Sequence, residues 1–218
     1  MRLLQKVNMK YKLVIFDFDG TIADTSPGIM DAHRFALSYM RKNIPSDSEL
    51  RMVIGGHLLD TYIHRFGFSE MQAREAVKVY RERYATVGIH KAELYPGFEK
   101  MVKRLYEKGY LIGVATLKVE KFAEIMLSEF GVRKWFNAVC GMDEHDDLDK
   151  AGLIKKCCSI CGVNENNAIL VGDSNNDVVG AHEAGVDFIG VTYGFGFQKD
   201  QKYDFCTVDS AVDILDYL

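Results

Sequence analysis

The sequence predicts an α/β protein: a doubly wound parallel sheet, interrupted after its first strand by an all-helical insertion. Three observations predict it. Short apolar runs rich in Val, Ile and Leu recur along the chain. Helical patterns lie between them and stop at glycine. The stretch from about Ser26 to His90 breaks this rhythm and contains no convincing strand. Runs that are apolar on both faces read as strands of a sheet covered on both sides. Strands alternating with helices give βαβ units.

The first run, Lys12 to Phe16, ends directly at Asp17. The insertion opens with Pro27 as a first helical residue and Ser26 as its cap. Ser69-Glu70-Met71-Gln72 is a capping-box pattern that opens a further helix. The chain returns near Leu94-Tyr95-Pro96-Gly97. Helices then read over Gly97 to Lys108, Val119 to Phe130, Lys150 to Cys161 and Asn176 to Ala184. They stop at Gly109, Gly131, Gly162 and Gly185, since glycine takes the left-handed conformation past a helix end at low cost. Strands read over Leu111 to Ala115, Ala138 to Cys140, Ala168 to Val171 and Phe188 to Val191. The expected organisation is an α/β core of residues 1–24 and 92–218 with a helical domain, 25–91, inserted after the first strand.

With 218 residues and 48% hydrophobic content the chain can bury one good core and a second small domain. A net charge of -4 argues against nucleic-acid binding, which wants a basic face. Met1 to Lys12 is too polar for a signal peptide, and no apolar run reaches the roughly 20 residues of a membrane span. The five cysteines are odd in number and follow no disulfide spacing, so reduced thiols and a cytoplasmic protein are expected. Cys157 and Cys161 sit at i,i+4, but no further ligand pair completes a metal site, and buried helix-face thiols are the expectation.

The chemistry concentrates at strand ends, where open α/β sheets bind ligands. Asp17-Phe18-Asp19-Gly20-Thr21 follows the first strand, and strand alternation puts Asp17 and Asp19 on one side. Two close carboxylates repel, and a cation between them relieves that cost. Few protein carboxylates together with a substrate phosphate suit Mg²⁺. A second acidic pair lies at Asp173 and Asp177, again after an apolar strand. Asp173 can reach a metal at the same sheet edge, and Asp177 can brace the site. A helix N-cap is the plain alternative for this segment. Thr116, after Leu111 to Ala115, offers a hydroxyl and the amides of the next helix start for phosphoryl oxygens. Lys150 offers a point positive charge.

In order and spacing these segments resemble the haloacid dehalogenase (HAD) superfamily of phosphohydrolases, over essentially the whole chain. Asp17 to Thr21 is similar to its first motif, Thr116 to its second, Lys150 to its third, and Gly172-Asp173 with Asp177 to its fourth. The insertion resembles the family's four-helix-type cap on a Rossmann-like core. Tyr95-Pro96-Gly97, the stretch Asp177 to Gly185, and Val191-Thr192-Tyr193-Gly194-Phe195-Gly196 resemble the phosphoglycolate phosphatase group and neighbouring pyrophosphatases and nucleotidases. Leu117 and Ala151 depart from the Asn and Pro common at those positions, and Lys118 is a second candidate for the phosphate lysine.

The resemblance implies a Mg²⁺-dependent phosphatase acting on a small phosphate monoester. Asp17 is then the nucleophile that forms a phosphoaspartate, and Asp19 gives a proton to the leaving alkoxide and takes one from water. Mg²⁺ is held by Asp17, the backbone carbonyl of Asp19, and Asp173. Thr116 and Lys150 bind the phosphoryl group, and Asp177 orients Lys150 or a water of the ion. Hinges fall near Ile22 to Ser26 and His90 to Pro96, and Arg51, Gly55, Gly56, His57 and Arg65 are candidates for selecting the leaving group. Asp19 argues for an oxygen leaving group, because halide release needs no second acid. A sugar-phosphate mutase keeps both acids and is an alternative, as is a non-catalytic phosphate-ligand sensor on the same fold. The expected partner is a small phosphorylated molecule, with neither nucleic acid nor membrane, and the chain is expected to be a monomer or homodimer.

Overall fold

The computed structural model describes residues 10–143 and 148–218, so most of the stretch read above for a leader lies outside it. Strands β1 (Leu13–Phe16), β4 (Leu111–Val119), β5 (Ala138–Met142), β6 (Ala168–Gly172), β7 (Asp187–Val191) and β8 (Cys206–Val208) form one parallel sheet. Its order is β5-β4-β1-β6-β7-β8. β1 lies between β4 and β6, with Phe16 opposite both Val114 and Val171. The chain winds outward from β1 in both directions, which makes β1 the switch point where such sheets bind ligands. The doubly wound α/β core read from the sequence is therefore present.

Alternation along the strands explains why the runs are apolar throughout. Val14 and Phe16 face a core that Met101 and Leu105 of α5 (Phe98–Lys108) and Met126 and Leu127 of α6 (Glu120–Glu129) complete. Leu13 and Ile15 face the opposite core, with Leu153, Ile154 and Cys157 of α7 (Lys150–Cys161) and Ala181 and Ala184 of α8 (Asn175–Ala184). Each buried Val, Leu, Ile, Phe or Met among them contributes about 1.5–3 kcal/mol by leaving water. A Cβ on Gly113 would stand 2.2 Å from Cys157 Sγ, so the missing side chain lets α7 approach β4. Cys140, Cys157 and Cys158 are buried, Cys161 and Cys206 are half-buried, and all five thiols are free.

Between β1 and β4 the chain builds α1 (Ser26–Tyr39), α2 (Asp47–Arg51), α3 (Leu58–Asp60), which continues as a π turn over Thr61–Arg65, and α4 (Glu70–Thr86). The Ser69 capping box forms: Ser69 N–H donates to Gln72 Oε1 at 3.1 Å, and Gln72 N–H returns to Ser69 Oγ at 3.4 Å. A second box joins Ser46 and Glu49 ahead of α2. The two segments that link this helical layer to the sheet pair with each other, β2 (Ala23–Asp24) antiparallel to β3 (Glu93–Leu94).

Several sequence expectations need correction. Ser26 is the first residue of α1 and not its cap; its N–H donates to the Asp24 carboxylate at 2.9 Å. β4 does not stop before Thr116. It runs on to Val119 with a register break after Ala115, so α6 starts four residues beyond Thr116 and its amides do not flank that hydroxyl. The β2–β3 ribbon and the edge strand β8 have no counterpart in the sequence reading. Each is three residues or fewer, too short for a period to register.

Candidate active site

Sheet order brings three strand ends together. Asp17 follows β1, Thr116 lies in β4 on one side, and Asp173 follows β6 on the other. The Asp17 N–H continues the ladder by donating to Val171 O at 2.9 Å, so its side chain leaves from a fixed backbone. The chain then turns back: the N–H groups of Thr21, Ile22 and Ala23 all donate to Phe18 O. Gly20 makes that turn at φ +86, and a Cβ there would lie 2.2 Å from Asp173 Oδ2. Glycine thus lets the first acidic loop touch the second.

Lys150, the first residue of α7, places Nζ 2.7 Å from Asp17 Oδ1 and 2.7 Å from Asp177 Oδ1, and donates to Ala115 O at 3.1 Å. Gly180 permits this reach, since a Cβ there would meet the Lys150 stem at 2.3 Å. Asp177 has a double task. Its Oδ2 accepts from Ser174 N–H at 3.0 Å and Ser174 Oγ at 2.7 Å, which caps α8, while Oδ1 faces Lys150. The N-cap of α8 is Ser174, so in place of an Asp or Asn cap the segment forms a capping box with Asp177 at its third helical position. Asp173 Oδ2 accepts from Phe195 N–H at 2.6 Å.

Asp19 turns elsewhere. Its Oδ1 lies 2.9 Å from Nζ of Lys118, whose N–H also donates to Thr116 Oγ1 at 3.2 Å. The Lys118–Asp19 and Lys150–Asp177 contacts are ion pairs whose angles fall outside hydrogen-bond geometry, since both Oδ1 atoms lack a directed partner. The two lysines that competed in the sequence for the phosphate position thus divide the acids: Lys150 faces Asp17 and Asp177, Lys118 faces Asp19.

The electrostatics are unbalanced. Asp17, Asp19, Asp173 and Asp177 are buried with Lys118 and Lys150, a formal surplus of two negative charges. Burial pushes the Asp17 carboxyl up to about 7; the Lys150 ammonium opposes this, while Asp177 and Asp19 add to it. Burial, then the neighbouring Asp177 and Asp17, also hold Asp173 well above the usual carboxylate range. Lys150 stays charged because Asp17 and Asp177 outweigh its burial.

This surplus tests whether a divalent cation fits. Oxygens of Asp17, Asp173 and Asp177 all lie within 4.8 Å of one another. An all-oxygen set with a surplus of two negative charges matches a hard dication such as Mg²⁺. Asp17 and Asp173 belong to the set implied by the resemblance, and the Asp177 carboxylate lies within the same reach. The residues present fit the ion.

The sequence reading did not anticipate a role for Phe195, whose amide fixes Asp173, nor for His33, Tyr80 and Tyr84. A signal for Phe195 was present in its flanking glycines. A Cβ on Gly194 would lie 2.4 Å from both Asp173 Cβ and Gly20 O, and one on Gly196 2.4 Å from Asp173 O. For the aromatic residues there was none, because they come from the helical layer and reach the site only by tertiary folding.

A cavity of about 70 Å³ joins the acids to that layer, with Asp17, Asp19, Thr116 and Lys118 on one side and His33, Tyr80, Tyr84 and His57 on the other. Gly55 and Gly56 line it too, and an open cleft beyond holds Arg51, His64 and Arg65 with Lys150 and Asp173. All five leaving-group candidates named from the sequence therefore line the space next to the acids.

The haloacid dehalogenase-like hydrolase family matches residues 14–191. A 5'-nucleotidase of Pseudomonas aeruginosa is 32% identical over 195 residues, covering 89% of this chain and 88% of that protein. A phosphoglycolate phosphatase of Psychrobacter arcticus is 29% identical over 203 residues, covering 88% of each. The crystal structure of a predicted phosphatase from Clostridium acetobutylicum superposes with a TM-score of 0.87 at 28% identity, covering 95% of this chain and 97% of that one. The chain belongs to the haloacid dehalogenase-like hydrolase family. Within it, the chain falls with the phosphoglycolate phosphatase-like group and is a phosphatase.

Proposed function

We propose that the protein is a Mg²⁺-dependent phosphatase that hydrolyses a small phosphate monoester through a phosphoaspartate on Asp17. The observation that carries this reading is the Asp17–Lys150–Asp177 cluster beside Asp173, at the strand ends where the sheet switches direction. Asp17 Oδ attacks phosphorus, and the P–O bond to the leaving alkoxide breaks. Asp19 supplies the proton that alkoxide needs, then accepts one from the water that hydrolyses the acyl phosphate. Lys150 and Thr116 hold phosphoryl oxygens, and Asp177 orients the Lys150 ammonium. Asp17, Asp173 and Asp177, with the Asp19 carbonyl, would hold Mg²⁺, which when bound offsets the surplus negative charge and attracts the phosphoryl oxygens. The rest is positioning and electrostatics, which is what a phosphoryl transition state chiefly requires.

Residues 25–91 act as a cap over the core, hinged where β2 and β3 pair. The cavity beside Asp19 supports a compact leaving group of a few heavy atoms, as in the phosphoglycolate phosphatase relative. A nucleoside leaving group is the second reading. The 5'-nucleotidase relative favours it, and the open cleft with Arg51, His64 and Arg65 gives it space. The reading includes a cytoplasmic protein with a small phosphorylated substrate and no nucleic-acid or membrane partner, working as a monomer or homodimer.

Phosphate release from glycolyl, sugar and nucleoside monophosphates and from pyrophosphate tests this, with Mg²⁺ and with EDTA. Mg²⁺-dependent release that falls at least about 1000-fold in Asp17→Asn is expected, and the highest kcat/KM names the leaving group. A folded Asp17→Asn protein that retains wild-type release would refute the nucleophile.

A further inference from the structure

Lys118 and Tyr84 have no role in the mechanism above, yet they connect the helical layer to Asp19. Lys118 lies in the last part of β4 and is 9% exposed. Its ammonium stands 2.9 Å from Asp19 Oδ1 and donates to Tyr84 Oη at 2.8 Å. It also lies 4.5 Å from the Tyr84 ring centroid and 5.6 Å from that of Phe18. Tyr84 belongs to α4, and its hydroxyl donates onward to Met126 Sδ of α6 at 3.7 Å. A buried ammonium needs compensation from every side. Here one partner is the acid on the sheet, and the other is a hydroxyl and ring face that only α4 supplies.

We propose that Tyr84 and Lys118 are positioning residues: a relay that sets the rotation of the Asp19 carboxylate and ties it to the seating of α4 over the site. The inference rests on the reading of Asp19 as proton donor. The Lys118 ammonium attracts Asp19 Oδ1 as an ion pair at 2.9 Å, which favours the rotation that leaves the other oxygen to meet the ester oxygen. A proton donor works only within hydrogen-bond reach of its target, about 2.6–3.2 Å, and a displacement of about 1 Å costs on the order of 100-fold. When α4 lifts, Lys118 loses its hydroxyl and ring partner together, and the carboxylate loses its fixed orientation. Proton donation is thereby confined to the state in which the helical layer covers the substrate.

In the step concerned, a bond forms from Asp17 Oδ to phosphorus, the ester P–O bond breaks, and the ester oxygen takes the Asp19 proton. An alkyl ester needs that proton, whereas p-nitrophenolate leaves without it. The test therefore compares kcat/KM for the best alkyl phosphomonoester of the panel with that for p-nitrophenyl phosphate, with Mg²⁺, in wild type, Lys118→Met, Lys118→Arg and Tyr84→Phe.

In Lys118→Met the loss on the alkyl ester is expected to exceed the loss on the aryl ester at least tenfold. Tyr84→Phe keeps the ring and is expected to show the same bias at roughly threefold, and Lys118→Arg to recover most of the alkyl activity. Equal losses on both esters would overturn the relay and assign Lys118 to the phosphoryl group or to the fold alone. An unbiased Tyr84→Phe would overturn the link to α4. Wild type that turns over neither ester would overturn the phosphatase reading, and the relay with it.

Discussion

His33 sits on α1 with its ring 4.6 Å from that of Tyr80, and it is 1% exposed. Its Nδ1 lies 3.2 Å from Tyr62 Oη, while Nε2 is buried with no hydrogen-bond partner. Burial drives its basicity from 6.5 down to about 3, so the folded protein holds it neutral across the mildly acidic range. The unfolded chain protonates it below about 6.5. Between these limits the unfolded state binds more protons, so stability falls as pH falls through this window, by up to about 1.4 kcal/mol per pH unit from this residue. Urea unfolding of wild type and His33→Gln between pH 8 and pH 5 checks this. The mutant is expected to lose stability with a shallower slope by about one proton, and parallel slopes would contradict the assignment. Nothing in the sequence distinguished this histidine from His64 or His182, which are not buried. Its environment is made by α1, the π turn and α4 together.

At the scale of elements, α4 is the helix on which the proposed relay depends, and its N-terminus rests on the Ser69–Gln72 box. Ser69→Ala removes the side-chain acceptor for the Gln72 N–H and is expected to cost about 1 kcal/mol of stability. Ser69 lies at the far end of α4 from Tyr84. The alkyl-to-aryl ratio should therefore stay at the wild-type value while the thermal midpoint drops, by calorimetry on the same preparation. A shift in the ratio would mean that fraying at the N-terminus reaches Tyr84. Helix starts and stops were largely legible in the sequence because caps and terminal glycines act within four residues. The ends of β4 were not legible, because its extension to Val119 is decided by pairing with Met142 of β5, a partner remote in the chain.

For the molecule as a whole, the decisive quantity is the surplus of two negative charges at the carboxyl edge of the sheet. Mutual repulsion there opposes folding, and a bound dication relieves it. Mg²⁺ is expected to raise the thermal midpoint, with a gain of about 2.7 kcal/mol at a concentration 100 times its Kd. In Asp173→Asn the apoprotein is expected to be less sensitive to Mg²⁺, because one carboxylate of the trio is gone. Thermal scans with graded MgCl₂ and with EDTA read this without any substrate. Identical Mg²⁺ shifts in wild type and mutant would remove Asp173 from the ion's ligands.

Some properties of this protein were determined by its sequence alone. Apolar runs of the right length, glycine stops and the two acidic loops specify a doubly wound sheet with acids at its carboxyl edge, because each signal is local and acts over a few residues. The placement of Asp17, Thr116, Asp173, Lys150 and Asp177 near one another follows once β1 lies between β4 and β6. Tertiary structure alone decided which lysine faces which acid, that Asp177 both caps α8 and holds Lys150, and that Tyr84 reaches Lys118. These depend on side-chain directions across contacts between 27 and 133 residues apart in the chain, where packing and the need to pair buried charges choose the partner and no local pattern records the choice.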